Sequence, residues 1–262
     1  GGGGEMTVEA WARMPVPHKE APPTTLVGIL DLKRGEGEML VGVMNITIED
    51  PRARPASIAR AIERIKREPK EVGAYYSERL FNLKMQDYEL VEVKQINRGI
   101  RALWKVKKSG YVVEMGVFVR SLKCEVSVIS DDVKLSLTAE LEGLIRKKGG
   151  ELIADLGKIP SWLLTPIAAG QTTLNYIKLT LEVPSSLKVK STSPKAHLTL
   201  DNGVVWILNE ENCEKPYIAY LARVKTSHAV VNWLIPIVSG CLTVLAVLIA
   251  VKRGLKGRKS SG

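Results

Sequence analysis

The side chains best equipped for chemistry are few in this 262-residue chain: three His, three Cys and some closely spaced carboxylates. His18, His197 and His228 lie far apart, and none has another His, Cys or carboxylate at the spacing of a metal site. No Gly-x-Ser-x-Gly occurs, so a nucleophile elbow is absent. Asp131-Asp132 and Glu140/Glu142 are the carboxylate pairs close enough for acid–base work. A helix cap accounts for the first pair and a solvated helix face for the second. The chain therefore reads as a non-enzyme with no catalytic residue, no metal ligand and no cofactor. An anchored enzyme with dispersed catalytic residues is the weaker alternative.

The cysteines carry a different chemistry. Cys124 and Cys213 are too far apart for a metal knuckle, and they form a possible disulfide if the chain is exported. Cys241 falls in an apolar run, where a thiol behaves as a small apolar group. Asn45-Ile46-Thr47 matches a glycosylation acceptor, which has meaning only outside the cytoplasm, and it sits in a strand-like run.

That apolar run has 23 residues, Ala229 to Val251, without a formal charge. A helix of that length reaches about 34 Å, enough for a hydrocarbon core of about 30 Å. Trp233 suits the membrane–water boundary, and Pro236 falls in the first turns, where a missing donor costs least. Lys252, Arg253, Lys256, Arg258 and Lys259 follow with no acidic residue to offset them, against Arg223 and Lys225 on the near side. Basic flanks stay cytoplasmic, so the C-terminus is expected inside and the N-terminal domains outside. Residues 1–23 contain no apolar core of the length an export signal needs. A tail-anchored arrangement with the bulk of the chain in the cytoplasm is accordingly the alternative.

Charge narrows the partners. The net charge is +10; five positives lie in the tail, leaving 33 basic against 28 acidic residues elsewhere. So small and scattered a surplus, with two Phe in all, argues against nucleic-acid binding. The tail cluster fits anionic lipid headgroups, so the bilayer is one expected partner and a protein or membrane complex the other. Three Gln among many Lys, Arg and Glu fit a thermophilic source.

The elements follow from periodicity. Residues 1–23, rich in Gly and Pro, read as a flexible leader. "TTLVGILDL" and "EMLVGVMNITIE" flank a Gly-containing turn and predict a hairpin. Ile58, Ile62 and Ile65 make the stripe of a helix that Pro55 opens and Pro69 stops. Four strands over 87–130, divided at Asn97-Arg98-Gly99, Ser109-Gly110 and Ser121-Leu122-Lys123, predict a meander. Val133, Leu137, Leu141 and Leu144, closed by Arg146-Lys147-Lys148-Gly149-Gly150, predict a second helix.

The expected fold is thus α+β over 24–150, an antiparallel sheet with two packed helices. A small all-β sandwich-like domain is expected over 151–226, with Trp206 as its core anchor. One C-terminal transmembrane helix over 227–251 and a basic cytoplasmic tail over 252–262 complete it. The function this implies is a single-pass, membrane-anchored structural or binding subunit of a cell-surface or membrane complex.

Overall fold

The computed structural model describes residues 2–13, 24–110, 113–114, 117–129, 132–158, 173–208 and 215–224. These residues form a predominantly antiparallel sheet with two helices. The strands are β1 (Gly2–Arg13), β2 (Thr24–Arg34), β3 (Met39–Glu49), β4 (Asp87–Ile96), β5 (Gly99–Ser109), β6 (Val113–Glu114) and β7 (Val117–Ile129). They continue with β8 (Asp132–Lys148), β9 (Glu151–Lys158), β10 (Thr173–Glu182), β11 (Leu187–Ser193), β12 (Leu198–Leu200), β13 (Gly203–Ile207) and β14 (Pro216–Arg223). The helices are α1 (Pro55–Arg67) and α2 (Pro69–Phe81). Gly1–Arg223 form one compact unit and Val224–Gly262 a second, of which Val224 is the one described residue.

The main path of the sheet runs β12-β13-β10-β1-β8-β7-β2-β3-β5-β4, and a branch, β9-β14-β11, leaves from the end of β8. Alternation keeps one face apolar across many strands. One row of Cα partners runs Leu90, Trp104, Met44, Leu30, Leu122, Ala139, Met6 and Leu181. At the β4 end the helices cover this face. The Trp104 indole donates to the Pro69 carbonyl at 3.0 Å, pinning the start of α2 to the sheet. At the other end the branch covers it, with Trp206 of β13 and Tyr217 of β14 meeting edge to face at 5.2 Å between centroids. The expected anchor Trp206 is buried, and its indole donates to the Pro194 carbonyl at 2.9 Å.

The β2–β3 hairpin and the first helix are found as expected, with Ile58 and Ile65 buried and Ile62 partly so. Four expectations are corrected. Residues 2–13 of the expected leader form β1, which lies between β8 and β10; alternation from Glu5 onward supplies a strand period that the glycines obscure. Pro69 opens α2 rather than ending helical structure, as proline does at a first helical position. The 87–130 region is not a meander. β5 pairs with β3, β7 pairs with β2 and β8, and Ser121-Leu122-Lys123 lies inside β7 beside a bulge instead of turning the chain.

The fourth correction is the expected helix over 130–148, which is strand β8. Val133, Leu137 and Leu141 are four apart, so they share a face in either a helix or a strand. Leu135 and Ala139 decide between the two, since they are buried with Leu137 and Leu141, which only a period of two allows. The expected helix-ending glycines instead form a hairpin turn. Gly149 and Gly150 have φ of 58° and 83°, and Lys148 pairs with Glu151 across them.

β1 pairs with β8 on one side and β10 on the other, so strands of both expected domains share one sheet. The expected membrane helix and basic tail lie outside the described residues. Among the described residues no helix is long and apolar enough to cross a membrane.

Candidate functional site

On the face opposite the buried row Met6–Ala139–Leu181, the next row places Glu5 of β1 beside Glu140 of β8 and Glu182 of β10. Residues directly opposite in antiparallel strands bring their Cβ atoms to about 4.5–5.5 Å, and like charges there are unfavourable. Four residues along β1 the same geometry is resolved conventionally: Glu9 faces Lys178, with Oε2 and Nζ 2.7 Å apart. The Glu182–Glu5–Glu140 row has no such lysine.

These carboxylates line a hollow of about 390 Å³ together with Glu142, Arg120 and the backbone of Gly3 and Gly4. Four carboxylates against one guanidinium make a locally anionic surface on a chain whose net charge is +10. Glu140, Glu142 and Glu182 are exposed and Glu5 half-buried, so water screens the charges from one another. Among the described residues none of the four carboxylates makes an ion pair. Close packing of β1 against its neighbours, not the hollow, explains the glycines. A Cβ on Gly4 would come within 2.9 Å of Leu144 and 3.1 Å of the Glu182 carbonyl, and one on Gly3 within 3.1 Å of the Leu141 carbonyl. Arg120 is the unpaired residue of the β7 bulge between Val119 and Ser121. Such a bulge re-aims a side chain out of the regular alternation.

A second hollow, of about 360 Å³, has the opposite sign. Lys147, Lys190 and Arg223 line it with Glu151 and Tyr220, at the ends of β8 and β14 and the middle of β11. Neither hollow brings together a nucleophile, a base and an orienting group. Among the described residues no three His, Cys, Asp or Glu side chains converge as metal ligands.

The positions singled out in the sequence fare differently. Glu140 and Glu142, read there as a solvated helix face, line the acidic hollow on a strand. Asp132 opens β8, and Asp131 lies outside the described residues. Cys124 is 1 % exposed in the core, a free thiol with Gly28 and Leu137 as Cα partners. Burial, and then the Glu125 charge, push that thiol up to about 12. Cys213, Cys241, His18, His228, Trp233, Pro236, Lys252, Arg253, Lys256, Arg258 and Lys259 lie outside the described residues. His197 is exposed just before β12. Asn45 lies mid-strand in β3 between Ile29 and Leu103, its Oδ1 buried without a hydrogen-bond partner.

Sequence reasoning missed Glu5 and Glu182. The alternation of "EMTVEA" and "IKLTLEV" assigns each glutamate to the polar face, but only strand pairing sets one beside the other. Comparison with protein-family models and with curated proteins finds no match to this chain.

Proposed function

We propose that this chain is a membrane-anchored binding subunit whose acidic hollow receives Lys- or Arg-rich segments of a protein partner. The observation that carries the reading is the unpaired in-register row Glu182–Glu5–Glu140. Adjacent carboxylates raise the free energy of the empty surface, and a cationic group lying across them relieves it. Three glutamates on a floor of strands form a preorganised site, which lowers the ordering cost of binding. Electrostatic complementarity of this kind favours encounter rate and selectivity. The role is binding rather than catalysis.

The anchor rests on the uncharged run Ala229–Val251. The five basic residues after it support a cytoplasmic C-terminus and extracytoplasmic N-terminal domains.

Two experiments test the parts separately. Octalysine is titrated calorimetrically into the full chain in neutral phosphatidylcholine nanodiscs, then into Glu5→Gln/Glu140→Gln/Glu182→Gln and a control, Glu63→Gln/Glu89→Gln/Glu92→Gln, of equal charge change. Exposed charge pairs contribute about 0.2–1 kcal/mol each, so the hollow variant is expected to weaken binding about tenfold and the control under twofold. Equal losses would show a general charge effect and end the hollow's role. For the anchor, membranes from expressing cells are washed with alkaline carbonate; release of the chain ends the anchored reading. With the chain retained, and in a Cys213→Ser/Cys241→Ser background, impermeant maleimide in intact cells should label Glu92→Cys, and Ser261→Cys only after lysis. The reverse pattern would establish the tail-anchored arrangement.

A further inference from the structure

The long path of the sheet ends at β4 and β12, and the branch ends at β11. An edge strand offers unpaired backbone groups to any extended chain, and folded proteins blunt such edges with charges and bulges. β4 carries Glu89, Glu92 and Lys94 and a bulge between Leu90 and Glu92, with exposed Val91 at the irregularity. β11 carries Lys188 and Lys190 and a bulge between Val189 and Ser191. β12 is short, at three residues, but carries neither a charge nor a bulge. Its residues are Leu198-Thr199-Leu200, it pairs with β13 without a register shift, and both leucines are open to solvent, at 51 % and 43 %.

We propose that β12 is the docking edge for a second copy of this chain, the two β12 strands pairing antiparallel about a two-fold axis at Thr199. The local sequence is self-complementary in that register. Thr199 meets its own copy, Leu198 meets the second copy's Leu200, and His197 meets the second copy's Asp201. The leucines of both copies then lie on one face, beside Val205, the Cα partner of Leu198. His197 and Asp201 are exposed, and among the described residues neither makes an ion pair, so each is free to take the other across the axis. An isologous contact of this kind closes after two copies, whereas a head-to-tail contact that does not close would keep adding copies. A three-residue strand makes a small contact, so the dimer is concentration-dependent. The proposal is independent of the hollow and of the anchor.

The test uses the full chain in detergent micelles over a range of protein concentrations, followed by sedimentation velocity. The wild type should pass from monomer to dimer. Leu198→Lys/Leu200→Lys should remain monomeric with an unchanged circular dichroism spectrum, because both side chains are exposed. Asp201→Lys should weaken the dimer about fivefold, and His197→Glu/Asp201→Lys should restore it, a rescue that a merely structural role of these residues would not produce. In a Cys213→Ser/Cys241→Ser background, Thr199→Cys should give a disulfide-linked dimer under mild oxidation, whereas Val91→Cys on the opposite edge should not. A wild type monomeric at every concentration overturns the proposal. So does a dimer that survives the double lysine variant, or one that cross-links as readily through Val91→Cys.

Discussion

At the scale of single residues, Cys124 shows how position overrides type. The thiol was legible as a disulfide candidate, yet in β7 it is in phase with buried Leu122 and packs in the core. Its raised pKa makes it a poor nucleophile at neutral pH, because the thiolate is the reactive form. Impermeant maleimide should therefore leave Cys124 unlabelled in the native chain and react with it in denaturant; mass spectrometry after quenching reads both. The pH dependence has a definite sign. The folded state keeps the proton up to about 12 while the unfolded thiol ionises from its ordinary value of 9.0. Below that value the group leaves stability unchanged; between the two values stability falls as pH rises, by about 1.4 kcal/mol per unit from this residue. Urea denaturation at pH 8 and pH 10 should show a loss of about 1.4 kcal/mol from this residue in the wild type that is missing in Cys124→Ala. Glu140 and Glu142 teach the complementary lesson: their chemistry was legible, and the neighbours that give it meaning were not.

At the scale of elements, the instructive case is α2. Its helical signal is weak: Pro69 reads as a stop and Gly73 interrupts the pattern. The glycine is required by packing, since a Cβ there would lie 3.0 Å from the Tyr88 ring and 3.1 Å from the Trp104 indole nitrogen. Gly28 is the sheet's counterpart beneath the same helix. A Cβ there would come within 2.7 Å of Leu80 and 2.9 Å of Phe81. Gly28→Ala should cost about 1–3 kcal/mol, as overpacking of a filled core does, and lower the urea midpoint without changing the slope of the transition. An unchanged midpoint would mean that α2 does not seat on β2 as described. β8 went the other way, because a stripe spaced by four satisfies both periods and the deciding residues, Leu135 and Ala139, look unremarkable in a helical reading.

At the scale of the whole molecule, β1 is the decisive strand. It is the connection on the main path between the helix-covered strands and those that carry Trp206. Removing its pairing would create two new edges inside the sheet. The compact unit should therefore unfold as one cooperative body, although its length and composition suggest two. Variants that retain only Trp104 or only Trp206 should give fluorescence transitions coincident with each other and with far-ultraviolet circular dichroism. Two separated midpoints would restore a pair of independent domains.

Short-range patterns alone account for the β2–β3 and β4–β5 hairpins, α1 and the short strands after residue 173. Each is set by periodicity and turn residues within a dozen positions, where backbone geometry is dictated by near neighbours. Long-range pairing inserts β1 between β8 and β10, settles 132–148 as a strand, and sets Glu5, Glu140 and Glu182 side by side. The place of β1 and the glutamate row depend on partners more than 100 residues away in the chain, which no local pattern encodes; β8 also pairs with its neighbours β7 and β9, but a stripe spaced by four fits a helix as well as a strand.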